Sequence, residues 1–128
     1  MKKTIFITLG IVALIGVLIA FSPTKANGLL SSSDFISKYK STPNVVLIDV
    51  RTPAEFDAGH IQGAINVDYE NTNFQSEVKK LDISKTYFVY CRSGNRSSKS
   101  VVIMKDNGIK NIYDLHGGIS NAPELLNN

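Results

Sequence analysis

Apolar and polar side chains alternate in blocks along this chain, and the blocks predict strands and helices in turn. Val45-Val46-Leu47-Ile48-Asp49-Val50 is a continuous β-branched run, the pattern of a central strand covered on both faces. Tyr87-Phe88-Val89-Tyr90 has the same character, and the shorter runs at residues 64–67 and 112–113 read as further strands. Between them lie helical signals. Ser31-Ser32-Ser33-Asp34 offers caps ahead of Phe35, Ile36 and Tyr39, and Ser41-Thr42-Pro43-Asn44 ends that helix. In Thr52-Pro53-Ala54-Glu55, Thr52 can cap, Pro53 suits the first helical position and Glu55 completes a capping box. Residues 73–81 read as a helix, residues 97–104 as another that stops at Asn107-Gly108, and Gly117-Gly118 opens a terminal helix through Leu126. Strands alternating with helices imply an α/β fold in one domain, with a central, mainly parallel sheet flanked by helices on both faces.

One block fits neither rhythm. Residues 5–21 are almost uninterruptedly apolar, preceded by Lys2 and Lys3 and followed by polar, small residues at 22–27. This is the layout of an export signal, so residues 1–26 are expected to be a signal peptide cut after Ala26, with an uncleaved membrane anchor as the alternative. Residues 27–128 then form the folded domain, in a periplasmic or otherwise extracytoplasmic setting. Membrane contact is expected only through residues 4–22, and only if they are retained.

Charge changes the picture once that segment is set aside. The whole chain carries +3, but Lys2, Lys3 and Lys25 account for the excess, and the remaining basic and acidic residues are equal in number. Nothing in that balance argues for a nucleic-acid partner.

The chain has a single cysteine, Cys91, so no internal disulfide is available. It stands where a strand ends and a helix begins, in Cys91-Arg92-Ser93-Gly94-Asn95-Arg96, the place where open α/β sheets put their binding crevices. The position predicts an exposed thiol. Successive N–H groups of a tight loop, backed by a helix N-terminus, form an anion site, which Arg92 and Arg96 reinforce with full charge. The same field favours thiolate over thiol, so Cys91 is expected to be a ready nucleophile toward an anionic substrate. Oxyanions of sulfur, phosphorus or arsenic all qualify.

These residues resemble a known family. The six residues from Cys91 to Arg96 are similar to the active-site loop of rhodanese domains. Leu47-Ile48-Asp49-Val50-Arg51, then Glu55-Phe56 and Gly59-His60-Ile61-Gln62-Gly63-Ala64-Ile65-Asn66-Val67, resemble the family's upstream signature. The likeness covers nearly all of residues 30–120, and an export signal before one short domain looks most like the periplasmic, phage-shock-type thiosulfate sulfurtransferases. It implies the rhodanese fold and a Cys91 nucleophile that takes sulfur from a thiosulfate-like anion and passes it to a thiol or cyanide. The backbone amides of residues 92–96 would stabilise the persulfide, the Arg92 and Arg96 side chains would hold the donor, and no cofactor or metal is implied. Phosphatases on this fold have a loop one residue longer, which favours sulfur transfer over phosphatase or arsenate-reductase chemistry; a noncatalytic sulfur-carrier or binding module is the third reading.

Other chemistry-bearing residues have plainer readings. Asp49 and Arg51 are expected to pair and tie loops together, Glu55 to cap its helix, and His60 and His116 to make structural hydrogen bonds. The spacing of Cys91, His60 and His116 matches no zinc motif. Ser97, Ser98 and Ser100 are expected to cap and solvate a helix N-terminus, and Tyr90 to belong to the core or a pocket wall. The chain departs from the family in having no tryptophan after Gly117-Gly118, where Ile119-Ser120-Asn121-Ala122-Pro123 follows.

Overall fold

The structure, a computed structural model, describes residues 28–127. The apolar segment expected to be a signal or anchor lies outside the described residues. Among those described, no helix is long and apolar enough to cross a membrane.

Five parallel strands form one sheet in the order β1-β6-β5-β2-β4: β1 is Leu29–Leu30, β2 Val45–Asp49, β4 Ile65–Asn66, β5 Thr86–Tyr90 and β6 Ile112–Leu115. Both continuous apolar runs are thus interior strands, paired in register from Val45 with Thr86 to Asp49 with Tyr90. Successive side chains point to opposite faces. Ile48, Val50, Tyr87, Val89, Cys91 and Ile112 face one side, where they meet Phe74 and Val78 of α3 (Phe74–Lys79) and Met104 of α4 (Asn95–Asp106). Leu47, Phe88, Tyr90 and Leu115 face the other and meet Phe35 of α1 (Ser32–Ser41), whose ring stands edge-on to Phe88 at 5.3 Å. The expected α/β domain with helices on both faces is what the chain forms.

At α1 and α2 (Pro53–Ala58) the N-cap residues are those the sequence predicts. The Ser31 hydroxyl accepts from Asp34 N at the start of α1, and Thr52 from Glu55 N at the start of α2, where Pro53 takes the first turn. The C-terminal segment is not as predicted. Instead of a helix through Leu126 there are two 3-10 turns, Ile119–Asn121 and Pro123–Leu125, separated by Ala122 at φ −147°, ψ 55°. Proline lacks an N–H and drives the preceding residue out of the helical region, so Pro123 breaks the element at Ala122. The chain then runs into β7 (Leu126–Asn127), antiparallel to β3 (His60–Ile61), a two-stranded ribbon that the apolar pattern did not reveal.

Candidate active site

The thiol of Cys91 lies between the end of β5 and the start of α4, but it is not exposed: the residue is only 1% accessible. The expectation of an exposed thiol is corrected by what covers it. Ile119 N donates to Cys91 O and Ser120 N to Arg92 O, which pins the segment after β6 onto the loop. Gly118, at φ +63°, makes that contact possible, because a Cβ there would sit 2.5 Å from the Arg92 carbonyl. The sulfur turns inward and accepts from Gly94 N at 3.1 Å and Ser97 N at 3.3 Å. Gly94 reaches this geometry at φ +98°, a conformation that residues with a Cβ rarely adopt.

The sulfur's hydrogen bonds also differ from the expected set of amides at 92–96. Of those, Gly94 N bonds Sγ; the second donor, Ser97 N, lies beyond the loop. Ser97 is fully buried rather than a solvated cap, with Oγ 3.4 Å from Cys91 Sγ and donating to Gly94 O at 3.2 Å. The physical reason is helical: α4 starts at Asn95, so its first-turn N–H groups point back along the axis at the sulfur.

Around this sulfur the loop's charges are unequal. The Arg96 guanidinium is bound by Glu55, Nη2 to Oε2 at 2.9 Å, with Glu70 4.0 Å away. Glu55 therefore does not close the expected capping box; its carboxylate is drawn across to the active loop by charge. Arg92 is exposed, as are Ser93 and Asn95, and among the described residues Arg92 makes no ion pair. Arg92 instead lines a cleft of about 400 Å³, with Arg51 and Glu55 as further charges and Ala58, Ile119, Pro123 and Leu126 as an apolar wall.

A buried brace holds the strand ends beneath the loop. Asp49, fully inaccessible, accepts from Arg51 N at 2.9 Å and from its Nη2 at 2.7 Å; the same Nη2 donates to Gly59 O at 2.7 Å. Burial alone would weaken the Arg51 charge, but the hydrogen bonds and charge of Asp49 outweigh it and hold the guanidinium above its ordinary value. The Tyr90 hydroxyl accepts from Ile61 N at 3.0 Å, and burial pushes that phenol up. Asn66 donates to Asp49 O and Arg51 O, closing the same corner. His60 stacks on Phe56 at 3.7 Å and its Nδ1 donates to Phe56 O at 2.9 Å, whereas His116 is exposed. Among the described residues, no group of three His, Cys, Asp or Glu side chains is placed to hold a metal ion.

The rhodanese-like domain model matches residues 32–122, which span every element from α1 to the first 3-10 turn. The chain belongs to this family. It is 32% identical to a rhodanese-related protein from Thermoplasma volcanium, whose crystal structure superposes with a TM-score of 0.64 over 76% of this chain and 92% of that one. It is 33% identical over 108 residues to the tRNA uridine(34) hydroxylase of Legionella pneumophila, covering 81% of this chain and 42% of that protein. A protein of Bacillus subtilis, YqhL, is 33% identical over 89 residues, covering 70% of this chain and 67% of its own length. The chain thus spans well under half the Legionella relative.

Within this rhodanese-like domain, two buried polar residues, one of them against the thiol, escaped the sequence reading. Ser97 was visible only as one of several cap-forming serines. Asp114 sits in Ile112-Tyr113-Asp114-Leu115, where a single acid reads as an ordinary outward-facing strand position. Instead it is 7% accessible, and its Oδ1 has no hydrogen-bond partner among the described residues. Burial pushes its carboxyl up to about 6, with the Ser97 hydroxyl, the His116 charge and the Leu115 amide holding it back.

Proposed function

We propose that this rhodanese-like domain is a sulfurtransferase that carries sulfane sulfur as a persulfide on Cys91. The observation that carries the reading is the loop itself: six residues from Cys91 to Arg96 close around a sulfur that accepts from two backbone N–H groups at a helix N-terminus. Such donors stabilise negative charge on sulfur without needing a proton acceptor nearby.

In the proposed reaction the Cys91 thiolate attacks the outer sulfur of thiosulfate or a similar donor. The donor's S–S bond breaks, sulfite leaves with the bonding electron pair, and Cys91 holds the transferred sulfur. A thiolate or cyanide acceptor then attacks that terminal sulfur and regenerates the Cys91 thiolate, so no external oxidant or reductant is consumed. Arg92, exposed at the rim, attracts the anionic donor, while Arg96 engages it in competition with Glu55. The cleft beside Arg92 has the apolar wall and the charge to seat a thiol acceptor. Residues 1–26 support placing this chemistry outside the cytoplasm, with the segment either removed or kept as an anchor.

The activity named for the Legionella relative supplies a second reading, favoured by the 33% identity. Against it, residues 28–127 carry equal numbers of acidic and basic side chains, which supplies none of the net positive charge that draws a polyanion such as tRNA. The experiment is thiocyanate formation from thiosulfate and cyanide by the purified protein and its Cys91→Ala variant. Turnover that vanishes in the variant supports the transferase; turnover that survives in Cys91→Ala removes Cys91 from the mechanism.

A further inference from the structure

Ile112 and Asp114 stand two residues apart on β6, so their side chains share the face of the sheet that α4 covers. Ser98, Val101 and Lys105 follow one another at helical spacing on α4, and β1 is the outermost strand, beside β6. Between that helix face and the sheet edge lies a cavity of about 220 Å³, lined by these five residues with Gly28 and Leu29. It shares no lining residue with the cleft beside Arg92.

Two opposite charges line this cavity without meeting. Asp114 is 7% accessible, and its Oδ1 accepts no hydrogen bond among the described residues, although its backbone N–H is bonded to Gly28 O at 2.6 Å. Lys105 is exposed and makes no ion pair among the described residues. Ser98 offers Asp114 no proton, because its hydroxyl donates to Asn95 O at 2.8 Å. The rest of the wall is apolar, from Leu29, Val101 and Ile112. A buried acceptor left empty is costly, and a carboxylate in apolar surroundings is best satisfied by a positively charged N–H donor. The nearby lysine does not supply one, which leaves Lys105 available to an anion.

We propose that this cavity binds a small α-amino acid with a branched apolar side chain. Its ammonium donates to the Asp114 carboxylate, its carboxylate meets the Lys105 ammonium, and its side chain packs on Leu29, Val101 and Ile112. A zwitterion answers both charges at once. A simple amine would leave Lys105 unmatched and be repelled by it, and a simple carboxylic acid would leave Asp114 empty. The volume lies below the roughly 300–1,000 Å³ of sites for drug-sized ligands, so one amino acid fits where a nucleotide or flavin does not. The site needs neither Cys91 nor its sulfur chemistry, and the sulfurtransferase reading stands or falls without it.

Isothermal titration calorimetry of the full chain with L-leucine tests the assignment, alongside glycine, isopentylamine and isocaproate, which lack in turn leucine's side chain, carboxylate and ammonium. Leucine is expected to saturate the protein with a Kd below about 1 mM, and each of the three analogues to bind at least about tenfold more weakly. Asp114→Asn should weaken leucine binding at least about tenfold, since the buried half of the charge pair is lost. Lys105→Gln should weaken it severalfold, and Arg92→Gln should leave it unchanged. Because Lys105 is exposed, its variant keeps the test decisive even if Asp114→Asn fails to fold. No saturable binding of leucine up to about 10 mM overturns the proposal. So does isopentylamine or isocaproate binding as tightly as leucine, or an affinity that Lys105→Gln does not move. Loss of binding in Arg92→Gln would put the ligand in the other cleft and overturn it equally.

Discussion

Replacing Asp49 by Asn keeps the shape of the side chain and removes its charge, which isolates what the buried brace does for the fold. Arg51 is 5% accessible and gives Asp49 its backbone N–H, Nε and Nη2, so the variant leaves a buried guanidinium without a counter-charge. Stranding one member of a buried pair costs about 3–5 kcal/mol. A domain of this size has only about 5–15 kcal/mol in total. With about 4–8 °C of Tm per kcal/mol, the expected fall is about 12–40 °C. Removing both charges in Asp49→Asn/Arg51→Met is expected to restore at least about half of that, since the desolvation cost disappears with the charge. It will not restore all, because Gly59 O then loses the Nη2 donor, at about 1 kcal/mol. Thermal melts followed by circular dichroism measure both. An Asp49→Asn protein melting within a few degrees of wild type would refute the assignment of the brace as a stabilising element. A double variant losing the sum of the two single losses would refute the coupling.

Asp114→Asn should alter stability in a pH-dependent way. A carboxyl raised from 3.8 to about 6 contributes stability that is fully present below its unfolded value and is lost as pH rises through about 6. The wild type should lose about 2 kcal/mol between about pH 4 and pH 7 from this group, and urea titrations of Asp114→Asn should lack that slope. Gly118→Ala places a Cβ against the Arg92 carbonyl at a positive φ, so it is expected to cost at least about 1–2 kcal/mol and to lower thiocyanate formation together with Tm. Glu55→Gln frees Arg96 from its ion pair, and the KM for thiosulfate should fall severalfold at low salt, with the gain shrinking as salt is added. An unchanged or raised KM would show that Glu55 orients Arg96 rather than competing with the donor.

What the sequence disclosed, and what it hid, follows from how far each feature depends on distant chain. β2 and β5 are buried on both faces, and burial of that kind leaves a continuous apolar run; Thr52-Pro53 announces α2 within two residues. The loop from Cys91 to Arg96 was legible for the same local reason. By contrast, β1, β3 and β7 are each two residues long and exist because a partner strand is there, which no local period records. The covering of Cys91 depends on Gly118 and the turn after it, and Pro123 redirects a segment whose apolar spacing suggested a helix. Glu55 meets Arg96 only through the fold, and Asp114 shows itself as unusual only once α4 is laid over β6.

The intact mass of the purified protein after mixing with thiosulfate tests the central claim most directly. A gain of one sulfur atom is expected, absent in Cys91→Ala and lost when cyanide is added. No gain on a fully reduced Cys91, or a gain that survives its replacement, would contradict it.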